Sequence, residues 1–231
     1  MKHPIMLRFS RLKWLALTGA LAALLPSLAR GQIVLNEILA SNQSIAPLAN
    51  FPNYFPDYVE LYNTTTSDID LAAGQWSLSP KKTPDPLNFK DHFFFPSSAI
   101  IRANSHLLIF FDNQTNFPGI HTTFTVNGTN TTFTLKNSDA TVQLFKDNKL
   151  TLVDSNRFGL QIPDYSIGRV PNGTGTWQLT QPTTARTNVA ATLAMPTHLK
   201  INEWMAKDLP NSDWFEVYNL EIGRASCRER V

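Results

Sequence analysis

The sequence predicts an all-β protein, an antiparallel sandwich or barrel, on three observations. Short apolar stretches recur at residues 33–39, 58–62, 76–78, 92–95, 107–111, 132–135, 141–145 and 150–153. Turn chemistry separates them: Asn63-Thr64-Thr65, Asn127-Gly128, Asn137-Ser138-Asp139, Asp147-Asn148 and Pro171-Asn172-Gly173. No window downstream of the first thirty-one residues holds an apolar face at helical period for three turns. Short strands punctuated in this way suit two packed antiparallel sheets, and about 155 residues suffice for a core that needs no staples.

The ends of the chain differ from this middle. Residues 1–31 carry Lys2, Arg8, Arg11 and Lys13 ahead of an apolar run from Trp14 to Ala29, broken by Pro26. That order reads as a secretory signal peptide, with cleavage fitting after Ala29 or Gly31. The run is short against the roughly 20 residues that span a bilayer, and no later segment is long and apolar enough to do so. Residues 221–231 have no apolar period and resemble translated sequencing adapter, so they are set apart as an artefactual tail together with Cys227, the only cysteine.

Charge follows the same division. The whole chain of 231 residues carries a formal charge of +2. Without the five basic residues of 1–31 and the three Arg and two Glu of 221–231, 12 basic and 16 acidic residues remain, a net charge of −4. Nucleic-acid binding is therefore not expected, since it needs clustered Lys and Arg. A hydrophobic content of 42% with 11% aromatics excludes a disordered tail, and one Cys excludes a disulfide scaffold or a multi-cysteine zinc site.

An internal repeat organises what is left. Ile33-Val34-Leu35-Asn36-Glu37 is echoed by Leu199-Lys200-Ile201-Asn202-Glu203, and Asp57-Tyr58-Val59-Glu60-Leu61-Tyr62-Asn63 by Asp213-Trp214-Phe215-Glu216-Val217-Tyr218-Asn219. The offsets are 166 and 156 residues, so the first copy holds a longer loop near 46–55. Self-similarity over such a distance means repeated domains. The expected organisation is one complete domain at 32–188, a linker at 189–197 and the truncated start of a second domain at 198–220.

These blocks resemble the lamin tail domain of exported bacterial proteins. The resemblance continues through Ile69-Asp70-Leu71, Trp76-Ser77-Leu78-Ser79, His106-Leu107-Leu108-Ile109-Phe110, Phe133-Thr134-Leu135 and Val142-Gln143-Leu144-Phe145. Leu152-Val153-Asp154, Asp164-Tyr165-Ser166-Ile167-Gly168-Arg169, Pro171-Asn172-Gly173 and Trp177 complete it, with Pro182-Thr183-Thr184 where a Pro-rich turn closes the family pattern. It implies an immunoglobulin-like antiparallel β-sandwich. The departures are an extended loop at 43–56 and a long Pro- and Lys-containing loop at 80–90.

Glu37, Asp57 and Glu60 are the candidate metal ligands or acid–base groups, with Glu203, Asp213 and Glu216 as their echoes. Paired carboxylates on adjacent strands can act as acid and base or hold Ca²⁺. Carboxylates near strand ends also satisfy backbone donors, and recurrence in both copies points to a role in the fold. No calcium-loop spacing is present. His92, His106, His121 and His198 show no metal-ligand spacing, and no nucleophile elbow or phosphate-cradling glycine motif occurs. Trp76 and Trp177, with Tyr54, Phe55, Tyr58 and Phe93-Phe94-Phe95, are the aromatics that could stack on a sugar, although a Trp on an inner strand more often packs in the core. Six N-x-[ST] sequons (Asn42, Asn63, Asn113, Asn127, Asn130 and Asn172) exceed chance only slightly.

The resulting expectation is a non-catalytic, exported structural, adhesion or interaction module without a cofactor, the N-terminal part of a larger secreted or surface protein. Its partner would be a protein or a cell-surface polysaccharide. The resemblance also allows an accessory domain of an exported nuclease, phosphoesterase or CotH-type kinase, and the aromatics allow a carbohydrate-binding module.

Overall fold

A computed structural model describes residues 32–206 and 214–220, apart from 127 and 194. The expected signal peptide, the tail 221–231 and Asp213 lie outside the described residues. Alternating side chains and intervening turns produce strands β1 (Ile33–Leu39), β2 (Tyr58–Asn63), β3 (Ile69–Asp70), β4 (Ser77–Ser79), β5 (Phe93–Phe94), β6 (Ile100–Ile101) and β7 (His106–Phe110). They continue as β8 (Ile120–His121), β9 (Thr123–Val126), β10 (Thr129–Thr132), β11 (Ala140–Lys146) and β12 (Thr151–Phe158). After these come β13 (Ser166–Val170), β14 (Thr176–Gln181), β15 (Val189–Ala190), β16 (Leu199–Met205) and β17 (Trp214–Asn219). Helix among the described residues is confined to two 3₁₀ turns, Phe89–Asp91 and Pro196–His198.

Two sheets carry the domain, one in the order β15-β14-β13-β1-β2-β7-β8 and one in the order β12-β11-β4-β5. All pairings within them are antiparallel except β7 with β8, which is parallel. The pleat sends Ile33, Leu35, Ile38, Val59, Leu61 and Ile109 from the larger sheet against Leu78, Val142, Leu144 and Phe158 from the smaller one. Each such fully buried side chain contributes about 1.5–3 kcal/mol. At the margin, Asp154 of β12 and Arg169 of β13 join the sheets through an ion pair at 3.0 Å. The same two side chains take up the backbone of β1: Leu35 N–H donates to Asp154 Oδ2 and Arg169 Nε donates to Leu35 O, both at 2.9 Å.

Several expectations shift. The stretch 132–135 forms no strand beyond the last residue of β10, although it buries Phe133 and Leu135. The stretch 150–153 begins one residue late, because Leu150 sits exposed in the turn, and its strand runs on to Phe158. The domain also extends past the boundary expected at 188: Val189 and Ala190 pair with Gln181 and Thr180, so the first two residues of the expected linker belong to the sheet.

The outer face of the larger sheet has two covers. The 43–56 loop folds back over one end and forms a second apolar cluster of Leu39, Tyr54, Tyr58 and Phe110. Asn42 anchors that loop, its amide donating to Ile45 O at 2.8 Å and Pro56 O at 2.7 Å. Tyr54 stacks on Phe117 at 3.9 Å between ring centroids and donates to Asp112 Oδ2 at 2.6 Å. The other end is covered by residues 182–188.

β16 and β17 form a separate hairpin that reproduces β1–β2 position for position. Leu199 faces Asn219 and Glu203 faces Glu216, as Ile33 faces Asn63 and Glu37 faces Glu60, and each register slips at the Asn before the first Glu. The hairpin is exposed on both sides, with Ile201 at 67% and Phe215 at 69%.

Candidate functional site

The slip in β1 is a β-bulge, and it turns both Asn36 and Glu37 toward the outer face, where Glu60 of β2 lies opposite. Both glutamates have no solvent exposure. Glu37 Oε1 accepts from Ser166 Oγ at 2.6 Å and from Thr183 N–H at 3.1 Å, while its Oε2 accepts from Tyr58 OH at 3.0 Å. Glu60 Oε1 accepts from Asn36 Nδ2 at 2.9 Å, and Oε2 accepts from Ala185 N–H at 2.6 Å. Two backbone amides of the 182–188 strap thus end on two buried carboxyl groups.

Asparagines complete the fastening. Asn188 Nδ2 donates to Asn36 O and Arg169 O, both at 2.9 Å, and Gly173 N–H donates to Asn36 Oδ1 at 2.9 Å. Gly173 has a φ of +66, and a Cβ there would stand 2.6 Å from the Tyr62 ring; only glycine brings its N–H this close. Gly168 lets Asn188 lie against β13, since a Cβ would fall 2.7 Å from Asn188 Nδ2. Gly168→Ala is therefore expected to lower unfolding free energy by about 1–3 kcal/mol in a denaturant titration. An unchanged midpoint would show that the strap yields freely.

Burial pushes both carboxyl groups up, Glu60 to about 8, with the Glu37 charge adding to the effect and the Asn36 and Ala185 donors opposing it. His106 stands 3.8 Å from Glu60 Oε1. Its Nε2 accepts from Asn172 Nδ2 at 2.6 Å, an assignment made from the hydrogen-bond network, and burial lowers its pKa. The imidazole is neutral, and the contact is not an ion pair. Burial likewise lowers His92.

The signs give a pH window. A carboxyl held protonated in the folded state up to about pH 8, but ionised in the unfolded chain above its ordinary 4.5, makes stability fall as pH rises between those values. Each proton contributes a slope of about 1.4 kcal/mol per pH unit. The lowered histidines act oppositely, and stability falls as pH drops below their ordinary 6.5. Between pH 6.5 and 8, where the histidines no longer oppose it, stability in thermal melts should therefore fall, the Glu60 proton alone accounting for about 2 kcal/mol. A melting temperature that climbs from pH 6.5 to 8 would contradict this.

Asp57 is not brought into the pair. One of its oxygens accepts Asn42 N–H at 2.9 Å, and burial raises its pKa. No group of three or more His, Cys, Asp or Glu side chains able to hold a metal ion occurs among the described residues. In the hairpin, Asn202 Nδ2 donates to Glu216 Oε1 at 2.6 Å, the counterpart of Asn36 and Glu60.

The aromatic candidates do not make a platform. Trp76 is 4% exposed within the main core, Tyr54, Tyr58, Phe93 and Phe95 are buried, and Trp177 is half-buried under the Arg169 guanidinium at 4.8 Å. The sequons at Asn42, Asn63 and Asn172 have their amide nitrogens bonded internally. Sequence reasoning gave no role to Ser166, Arg169, Asp154, Thr183 and Asn188. All but Asn188 sit in the blocks that carried the family resemblance, which was the available signal.

A bulged strand pair closed by a polar strap over two buried carboxyl groups defines a β-sandwich module whose most prominent acidic residues hold the fold together. The family model described as Lamin Tail Domain matches residues 26–159, more than half of the chain, and the chain belongs to that family. The match ends before β13, β14 and the strap that completes the sheet. No curated protein matches the chain. The family and the fold make this an immunoglobulin-like interaction module.

Proposed function

We propose that the chain is the exported N-terminal part of a larger, non-catalytic surface or secreted protein whose lamin tail domains are arranged in tandem and serve adhesion. The hairpin β16–β17 carries the reading: it repeats the bulge, the register and the Asn–Glu bond of the first copy. The carboxyl groups most suited to acid–base chemistry accept from five protein donors between them, which supports a module without a reaction to perform. Export rests on the order of basic segment, apolar run and small residues in 1–31.

Expression of the full chain in a secreting bacterial host tests this. The exported product should begin at Arg30 or Gln32 by mass spectrometry. Retention in the cytoplasm with Met1 intact would overturn the export reading.

A further inference from the structure

The long loop at 80–90 departs from the family pattern and stands between two open grooves. One is a cavity of about 710 Å³ whose walls include Lys81, Lys82, Thr83, Thr132, Thr134 and Lys136. The other, about 500 Å³, shares Lys82 and Thr83 and is lined further by Pro84, His92, Phe145 and Lys149. The two grooves therefore run past the same lysine.

The charge here opposes that of residues 32–220 as a whole, which is −4. Lys81 pairs with Asp91, and Lys82 with Asp139, which also accepts from Arg157 at 3.0 Å. Lys136 has no carboxylate partner among the described residues. Lys149 places its ammonium 3.6 Å from the centre of the Phe89 ring. Four lysines and Arg157 thus stand against three carboxylates, Asp85, Asp91 and Asp139, a surplus of two positive charges. Between the lysines stand the hydroxyls of Thr83, Thr132, Thr134, Ser138 and Thr141. His92, 1% exposed, belongs to the wall of the second groove, and its Nε2 has no hydrogen-bond partner.

We propose that the grooves on either side of the 80–90 loop bind a strand of acidic polysaccharide, with lysine ammonium groups on its uronate carboxylates and threonine hydroxyls on its sugar hydroxyls. A row of hydroxyls that both donate and accept suits a polyhydroxylated chain better than a peptide, which needs apolar pockets for alternate side chains. A nucleic acid would need a row of exposed stacking aromatics, whereas the first groove offers only Phe133, 7% exposed, and the second only Phe145. The proposal rests on the interaction-module reading and names its ligand class. Binding is measured on purified chain, so its failure is separate from a failure of export.

The test is calorimetric titration of the full chain with oligogalacturonate, alongside the methyl-esterified oligomer, polyglutamate and single-stranded DNA. Oligogalacturonate should bind, weaken as salt rises, and weaken about tenfold in Lys82→Gln/Lys136→Gln, the loss of roughly one charge-assisted hydrogen bond. Its binding should shift the His92 ring nitrogen signals, and the methyl ester should not bind. Lys136→Gln alone, which breaks no ion pair, covers the case in which the double variant fails to fold. No binding at low salt, equal binding of the methyl ester, or wild-type affinity in Lys136→Gln overturns the proposal. Tighter binding of polyglutamate or DNA replaces it with an acidic-peptide or nucleic-acid site.

Discussion

A chain ending at Gly159, where the family model stops matching, is expected to show no cooperative thermal transition, whereas the full chain unfolds in one. The truncation removes β13, β14, β15 and the strap. β1 then loses the neighbour that pairs with Glu37 and Ile38. Asp154 loses Arg169, and Glu37 and Glu60 lose Ser166, Thr183 and Ala185 as donors. The outer face of β1 and β2 is then uncovered and the edge of β1 unpaired, a loss of burial and pairing that approaches the roughly 5–15 kcal/mol that stabilises an ordinary domain. Calorimetry decides the matter. A truncated chain melting within a few degrees of the intact one would show that the first twelve strands suffice.

Replacing Glu37 by Ala is the point substitution with the largest expected effect, a loss of about 3–5 kcal/mol in a denaturant titration, from the three donors it leaves unpaired. It leaves the Ser166 hydroxyl, the Tyr58 hydroxyl and the Thr183 N–H without their acceptor in a site with no exposure. Each buried orphan costs about 1–3 kcal/mol, reduced where a hydroxyl can turn to another acceptor. Ser166 has such a choice, since Thr180 O lies 3.3 Å away. Glu37→Gln keeps one oxygen acceptor and should lose about half as much. If Glu37→Ala melted like the wild type while binding of some ligand vanished, the carboxyl would belong to a site and not to the fold.

The sequence was most legible where burial alternates. β1, β2, β7 and β11 read directly from apolar residues and turns, because one face of each meets the core. β13 and β14 were less legible: Ser166-Ile167-Gly168-Arg169-Val170 and Thr176-Trp177-Gln178-Leu179-Thr180-Gln181 pack polar residues under the strap, so no apolar alternation marks them. The far half of β12 is Asp154-Ser155-Asn156-Arg157, a sheet edge that needs no apolar row. The pairing of Glu37 with Glu60 could be placed from sequence, since both lie on adjacent predicted strands. The donors that saturate them could not, because Ser166 and Thr183 lie 129 and 146 residues from Glu37. Trp76 and Trp177 show the same limit in reverse: composition offered them as a sugar platform, whereas packing closes one inside the core and the other beneath Arg169.

The central claim is that Glu37 and Glu60 fasten the 182–188 strap to the sheet. Amide hydrogen exchange at Thr183 and Ala185 tests it most directly, because these N–H groups end on the two carboxyl groups. Their opening free energies should match those of core amides such as Leu61 and Leu144, as groups released only by global unfolding. Exchange at the rate of an exposed loop would contradict the claim and return the two glutamates to candidacy as a binding site.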